Sequence, residues 1–171
     1  MPQSDAPQWR TAMESDVPEI DRIARIIHPD LPERPETFRE KLRLSPSTCL
    51  VACDGANVRG YAIAYPWRMN AMPPLDEFFG ALPADASVLF IHDVALLPSA
   101  RGLGLVENLL EMLSRAGRRL GLEQFTLAAV YGSEEVWFRY GFRRAPMSKE
   151  MEAQASSYGS AVYMTRNFTP G

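Results

Sequence analysis

Two short stretches carry the residues that could do chemistry. The first is Arg101-Gly102-Leu103-Gly104-Leu105-Val106, two glycines one residue apart where an apolar strand turns into a helix. Glycines there let the backbone approach a ligand closely, and the free N–H groups of the first helical turn favour an anion. A pyrophosphate is the natural guest, although a Gly-x-Gly turn can also be a tight turn and nothing more. Two other phosphate motifs are excluded. A dinucleotide fingerprint needs a third glycine where Glu107 stands and an acidic residue ending the next strand, which ends in Val130-Tyr131. A nucleotide-hydrolase phosphate loop needs Gly-Lys-Ser/Thr, and neither glycine precedes a lysine.

The second stretch is His92-Asp93, which interrupts the apolar run Val88–Leu97. Two adjacent polar groups in such a strand need partners or a function. An imidazole with its ordinary pKa of about 6.5 suits general-base work at neutral pH. In a regular strand Asp93 faces away from His92, whereas a bulge would turn both toward one cleft. The competing reading makes His92 a satisfied core residue and Asp93 an anchor for a neighbouring loop. The other histidine, His28, precedes Pro29 at a helix end and reads as structural.

The elements that must hold these residues follow from the pattern of the chain. The 171 residues suit one domain, 1–171, large enough for a sizeable core. With 46% apolar and 23% charged residues, disordered and fibrous classes are out. Eighteen basic against 21 acidic residues leave a net charge of −3, unsuited to a nucleic-acid backbone. No apolar run nears the ~20 residues of a membrane helix, and the first residues lack the apolar core of a signal peptide. Cys49 and Cys53 lie about 13 Å apart if they share a strand, too far for a disulfide. Two unpaired cysteines suit a reducing cytoplasm, so the expected location is cytoplasmic.

Trp9–Met13 reads as a strand, followed by a helix capped by Ser15 with Val17, Ile20, Ile23, Ala24 and Ile27 on one face. Pro35–Leu44 reads as a second helix. Cys49–Cys53 and Tyr61–Tyr65 flank the turn Asp54-Gly55-Ala56-Asn57 and form a hairpin or meander. Residues 66–86, punctuated by Pro66, Pro73, Pro74 and Pro83, read as a loop. A small amphipathic helix is expected within it, carrying Leu75, Phe78, Phe79 and Leu82. So long a connection is functional or mobile, or it merely covers a sheet edge. Val88–Leu97 is a central strand buried on both faces, and the helix after the glycine turn runs to about Leu120, with Gly121 at its end. Phe125–Tyr131 completes a parallel strand–helix–strand crossover. Ser133–Tyr140 is a short helix, and the remainder, with Ala161–Arg166, makes one or two strands. The fold class is therefore α/β (mixed α+β), an antiparallel meander leading into one parallel crossover, with helices on both faces.

This arrangement resembles the GCN5-related N-acetyltransferase (GNAT) superfamily. Its acetyl-CoA motif, Gln/Arg-x-x-Gly-x-Gly/Ala, is matched by Arg101 and Gly104, with Val106 in the last position. The strand ending Leu96-Leu97-Pro98 is similar to the family's apolar-x-Pro ending. Trp137 with Gly141-Phe142 resembles its second motif, aromatic-x-x-x-Gly-Phe. These matches span about Val88 to Arg144, and the element order extends the likeness along almost the whole chain.

The resemblance implies an acetyl-CoA-dependent N-acetyltransferase that uses no metal, acting on a primary amine of a small molecule or peptide by direct attack. It implies that the pantetheine arm pairs with the backbone of Val94, Ala95 and Leu96. It also implies that the pyrophosphate lies on the Arg101, Gly102, Leu103, Gly104, Leu105, Val106 and Glu107 turn. The family's catalytic carboxylate or histidine position falls on His92, with Asp93 beside it. Many relatives carry a proton-donating tyrosine where Trp137 stands, so the expected donor is Tyr131, with Tyr140 the other nearby phenol, or else solvent protonates the thiolate with no protein acid. Segment 66–86 is the expected substrate-side insertion. The expected partners are the amine alone, with no nucleic acid or membrane and a homodimer left open. The alternative, drawn from Trp137 and Val106, is a non-catalytic acyl-CoA-binding or sensing module.

Overall fold

The computed structural model describes residues 6–171. Its strands are β1 (Gln8–Thr11), β2 (Cys49–Asp54), β3 (Asn57–Trp67), β4 (Val88–Leu96), β5 (Gln124–Ala129), β6 (Arg143–Arg144) and β7 (Val162–Asn167). Its helices are α1 (Val17–Ile27), α2 (Pro35–Leu44), α3 (Leu105–Arg119), α4 (Glu134–Arg139) and α5 (Lys149–Ala155). The strands form one sheet in the order β1-β2-β3-β4-β5-β7-β6. Only β4 and β5 run parallel; the other neighbours are antiparallel. The expected mixed sheet with one crossover is thus present.

β4 is apolar throughout its first half because both of its faces are covered. Phe90 joins the core that contains Ile20 and Ile23 of α1 and Phe38 of α2. Leu89 and Ile91 join the opposite core, built on Leu109, Leu110 and Leu113 of α3. Period-two alternation then breaks. Ile63 of β3 faces Asp93 and Ala64 faces Ile91, so His92 is an extra residue in β4. This β-bulge puts His92 and Asp93 on the same face, toward α1 and α2, where Tyr65 and Tyr61 meet them.

Several local expectations need correction. Ser15 does not cap α1; a single 3-10 turn, Glu14–Asp16, precedes the helix. The carboxylate of Asp16 accepts the Met13 N–H at 2.7 Å while paired with Arg10 at 2.8 Å. No helix forms in segment 66–86. Asn70 and Asp76 adopt left-handed φ of 57° and 55°, and the prolines deny the segment the amide donors a helix needs. Carboxylates hold the segment instead: Glu40 accepts the Phe79 and Gly80 N–H groups at 2.7 and 3.0 Å, and Glu33 accepts that of Asp76 at 3.2 Å. The Tyr158 hydroxyl donates to the Pro73 carbonyl at 2.6 Å, binding the segment's other side. α5, capped by Ser148, lies between the last two strands, where the sequence pattern predicts no helix. Both cysteines are free, and among the described residues no helix is long and apolar enough to cross a membrane.

One contact fixes how β3 supports β4. A Cβ built on Gly60 would lie 2.7 Å from the Ala95 carbonyl oxygen, against backbone that cannot swing aside. Replacing Gly60 with alanine is therefore expected to cost about 1–3 kcal/mol by overpacking and to push the second half of β4 out of place. A urea melt with a parallel CoA titration checks this, and the expected result is loss of both stability and CoA affinity.

Candidate active site

β5 pairs with β4 only at Leu89–Phe125, Phe90–Thr126 and Ile91–Leu127. Beyond Ile91 the parallel strands part, and β4 runs on to Leu96 with no strand against that edge among the described residues. A cleft of about 600 Å³ opens in the gap. From β4, Val94 and Leu96 line it; from the glycine turn, Arg101, Gly102, Gly104, Leu105, Val106 and Glu107 do. Two expected cofactor residues do not. The Ala95 side chain is buried on the opposite face, in the core of α1 and α2, and Leu103 points outward at 49% exposure.

Gly102 and Gly104 hold φ of +71° and +73°, a region that costs a residue with a Cβ. Space is not the reason, since a Cβ on Gly102 would meet nothing within 4 Å. The helix begins with the Asn108 N–H donating to the Gly104 carbonyl at 3.2 Å. The N–H groups of Leu105, Val106 and Glu107 precede that bond and lack an intrahelical acceptor. Trp9 steadies the turn from β1 by donating its indole N–H to the Leu105 carbonyl at 2.7 Å. Val106 packs its side chain on the α3 core, so the branched residue leaves the turn's backbone clear. Left-handed glycines, unspent donors and the start of a fifteen-residue helix fit a pyrophosphate.

The bulge creates two histidine–carboxylate pairs. His92 Nε2 lies 2.7 Å from Glu33 Oε1 and its Nδ1 lies 2.8 Å from the Tyr65 hydroxyl, with the side chain fully buried. Burial alone would raise the Glu33 pKa. The His92 charge and hydrogen bond, with Lys41 4.0 Å away and the Asp76 N–H, outweigh it and bring the carboxyl down to about 2. An ionised Glu33 requires a proton on His92 Nε2, and Tyr65 occupies Nδ1. Both ring nitrogens of His92, the expected base, are thus engaged inside the fold, by Glu33 and by Tyr65, and the residue holds the bulge. Lys41 is also fully enclosed, its ammonium 4.6 Å over the Phe79 ring, and burial lowers its pKa.

Asp93 makes the second pair. Its Oδ2 accepts a short hydrogen bond from the Tyr61 hydroxyl, and its Oδ1 lies 2.7 Å from His28 Nε2. Burial and the Asp93 charge push the Tyr61 phenol up, so it remains a donor. The His28–Asp93 approach is an ion-pair contact out of line for a hydrogen bond, and among the described residues neither buried ring nitrogen of His28 has a hydrogen-bond partner. Burial opposes the imidazolium, but the Asp93 contact and the charges of Asp93 and Glu33 prevail and raise the His28 pKa. His28, read from the sequence as structural, lines the cleft beside Asp93.

Tyr131 stacks on His28 with ring centres 5.9 Å apart and planes 9° from parallel. It holds a φ of 54°, lines the cleft and is 54% exposed. Desolvation, Asp30 and Asp93 raise its pKa; desolvation and Glu107 raise that of Tyr140, which lines the same cleft. Both phenols therefore keep their protons near neutrality. Trp137 lines the wall between them and packs edge-on against Phe142 at 5.3 Å.

The residues missed by sequence reasoning are His28 and Glu33. His28 is one of two histidines, a weak signal that its Pro29 neighbour disguised as a helix stop. Glu33 sits among Pro29, Pro32 and Pro35, 59 residues from its partner, and no local pattern marks it. Removing its charge strands His92 and Lys41. Glu33→Gln is expected to cost about 3–5 kcal/mol of stability near neutral pH. The folded pKa of Glu33 lies below its ordinary 4.5, so its contribution is present above pH 4.5 and is lost as pH falls toward about 2. Thermal melts across that range should show this acid loss in the parent chain and not in the variant.

The sequence profile of the acetyltransferase (GNAT) family matches residues 11–142. No curated protein matches the sequence. Among solved structures, Ard1 from Thermoplasma volcanium superposes with a TM-score of 0.72 at 16% identity, over 96% of this chain and 99% of that one. The GNAT-like decarboxylase GphF, solved with isobutyryl-CoA, gives 0.73 at 16% identity over 94% and 98%. Naa50 of Arabidopsis thaliana, solved with the bisubstrate analogue CoA-Ac-MVNAL, gives 0.66 at 11% identity over 95% and 99%. At such identities the likeness shows the fold. The profile runs from the end of β1 to Phe142 and takes in the glycine turn, both parting strands and the His28 wall; the chain belongs to the acetyltransferase (GNAT) family.

Proposed function

We propose that the protein transfers an acetyl group from acetyl-CoA to a primary amine of a small molecule or peptide. The observation that carries this reading is the meeting of the His28–Asp93 pair with the parted strands, above an anion-ready helix start. The N–H groups of Leu105, Val106 and Glu107 would hold the pyrophosphate, and the free edge of β4 from His92 to Leu96 would pair with the pantetheine arm. Bound acetyl-CoA supplies an activated thioester. The reaction exchanges a C–S for a C–N bond and moves a proton from nitrogen to sulfur.

The chain's residues divide the proton work. The Asp93 charge beside Nε2 makes His28 more basic, and His28 takes a proton from the ammonium of the acceptor. Tyr61 keeps Asp93 oriented from behind, while His92, locked by Glu33 and Tyr65, fixes the bulge that presents Asp93. Tyr131, protonated and exposed beside His28, donates toward the leaving sulfur. Segment 66–86 closes the acceptor side, since Glu33 and Glu40 tie it to α2 and the loop before it.

A thiol-release assay with acetyl-CoA over small amines and peptide N-termini tests the activity. Release with at least one amine is expected. Tight CoA binding with no turnover would favour the non-catalytic binding module, for which Trp137 in the cleft wall speaks; absence of CoA binding would remove both readings. His28→Ala should lower kcat about 10²-fold or more. The acid limb of the parent pH–rate profile should lie above pH 6.5, because the folded His28 pKa is raised. Asp93→Asn removes that influence and should move the limb to lower pH; an unmoved limb would take the base role from His28.

A further inference from the structure

Behind the cleft lies a second, much smaller cavity of about 40 Å³. It shares His28, His92, Asp93, Ala128 and Val130 with the cleft, so the two adjoin at the bulge. Apart from Glu33, its remaining walls are apolar or aromatic, and they come from well-separated parts of the chain. Leu31 lies between α1 and α2, Phe38 is on α2, and Tyr158 follows α5. Leu75 closes it from segment 66–86. That wall is fixed, because Asp76 is bonded to Glu33 and Arg34 while Pro73 is bonded to Tyr158.

Size decides what the cavity can take. A water needs roughly 10–15 Å³ of such space, so the cavity holds about three heavy atoms. An acetyl group has that number beyond the sulfur and a propionyl group one more, so a still longer chain has to displace a wall.

We propose that this cavity is an acyl pocket and that Leu75 sets its depth, restricting the protein to acyl groups of two or three carbons. The inference rests on the acyl-CoA reading above and extends it to chain length. Segment 66–86 then has a defined role, because one of its side chains is the far wall of the acyl site. Leu75→Ala removes that wall, whereas Leu75→Phe fills the space. Phe38 and Tyr158 are core residues bonded or packed elsewhere, so Leu75 is the wall that can change with least damage to the fold.

The test is calorimetric titration, without amine, of bare CoA and of acetyl-, propionyl-, butyryl- and hexanoyl-CoA. Bare CoA reports the cleft and the fold, and the acyl series reports the pocket. In the parent chain, butyryl- and hexanoyl-CoA should bind about tenfold or more weakly than acetyl-CoA. Leu75→Ala should bring butyryl-CoA to within about threefold of acetyl-CoA. Leu75→Phe should reduce acetyl-CoA to the affinity of bare CoA. Equal binding of hexanoyl- and acetyl-CoA by the parent chain would overturn the proposal. So would an unchanged chain-length ladder in both variants while bare CoA still binds, because the cavity would then serve the acceptor instead. No binding of bare CoA by the parent chain would instead sink the underlying acyl-CoA reading.

Discussion

Everything at the site depends on one extra residue in β4. His92 has no partner in β3's register, and the bulge it makes turns two consecutive polar side chains toward the same face. An uninterrupted strand would send Asp93 into the α3 core, where nothing charged could meet it. With the bulge, Asp93 faces Tyr61 and His28 while His92 faces Tyr65 and Glu33. The register shift follows the last β4–β5 pair, Ile91–Leu127, so strand separation and side-chain placement arise at the same point.

That arrangement has a cost, and the buried charges offset it. A carboxylate, an imidazole and an ammonium enclosed together would be unfavourable singly. Mutual attraction and hydrogen bonds make the set tolerable, with the Glu33 pKa of about 2 as its signature. Glu33, which holds the bulge through His92, also fastens segment 66–86 through the Asp76 amide, and Glu40 of α2 holds the Phe79 and Gly80 amides. Support for the bulge and attachment of segment 66–86 therefore share one carboxylate, Glu33. On the other side of β4 the logic is local. A chain of net charge −3 still presents unspent helix-start N–H groups behind two left-handed glycines.

Much of this was legible because it is written in short-range pattern. The glycine turn, the apolar central strand and the crossover helix each follow from neighbouring residues, and the sheet assembles accordingly. His92 and Asp93 stand out as polar residues in an apolar run. Their shared direction is not legible, since a bulge is a matter of register with β3. Glu33 and His28 lie in and beside a proline-rich connection and acquire meaning only when α1 and α2 pack on the sheet. The helix expected within 66–86 is absent because its apolar spacing serves packing of an irregular segment, with two left-handed residues breaking any helical run. α5 leaves no periodic signal because only Met151 and Ala155 of its seven residues are buried.

If the site works as proposed, acyl-CoA lies along the open edge of β4 with its diphosphate on the glycine turn. Amide chemical-shift mapping of the isotope-labelled protein during a titration with acetyl-CoA tests this most directly. Saturable shifts should concentrate at His92–Leu96, at Gly102–Glu107 and at Tyr131, with β1 and β2 unmoved apart from the neighbourhood of Trp9. Saturable shifts confined to another surface, or no shifts at millimolar acetyl-CoA, would contradict it.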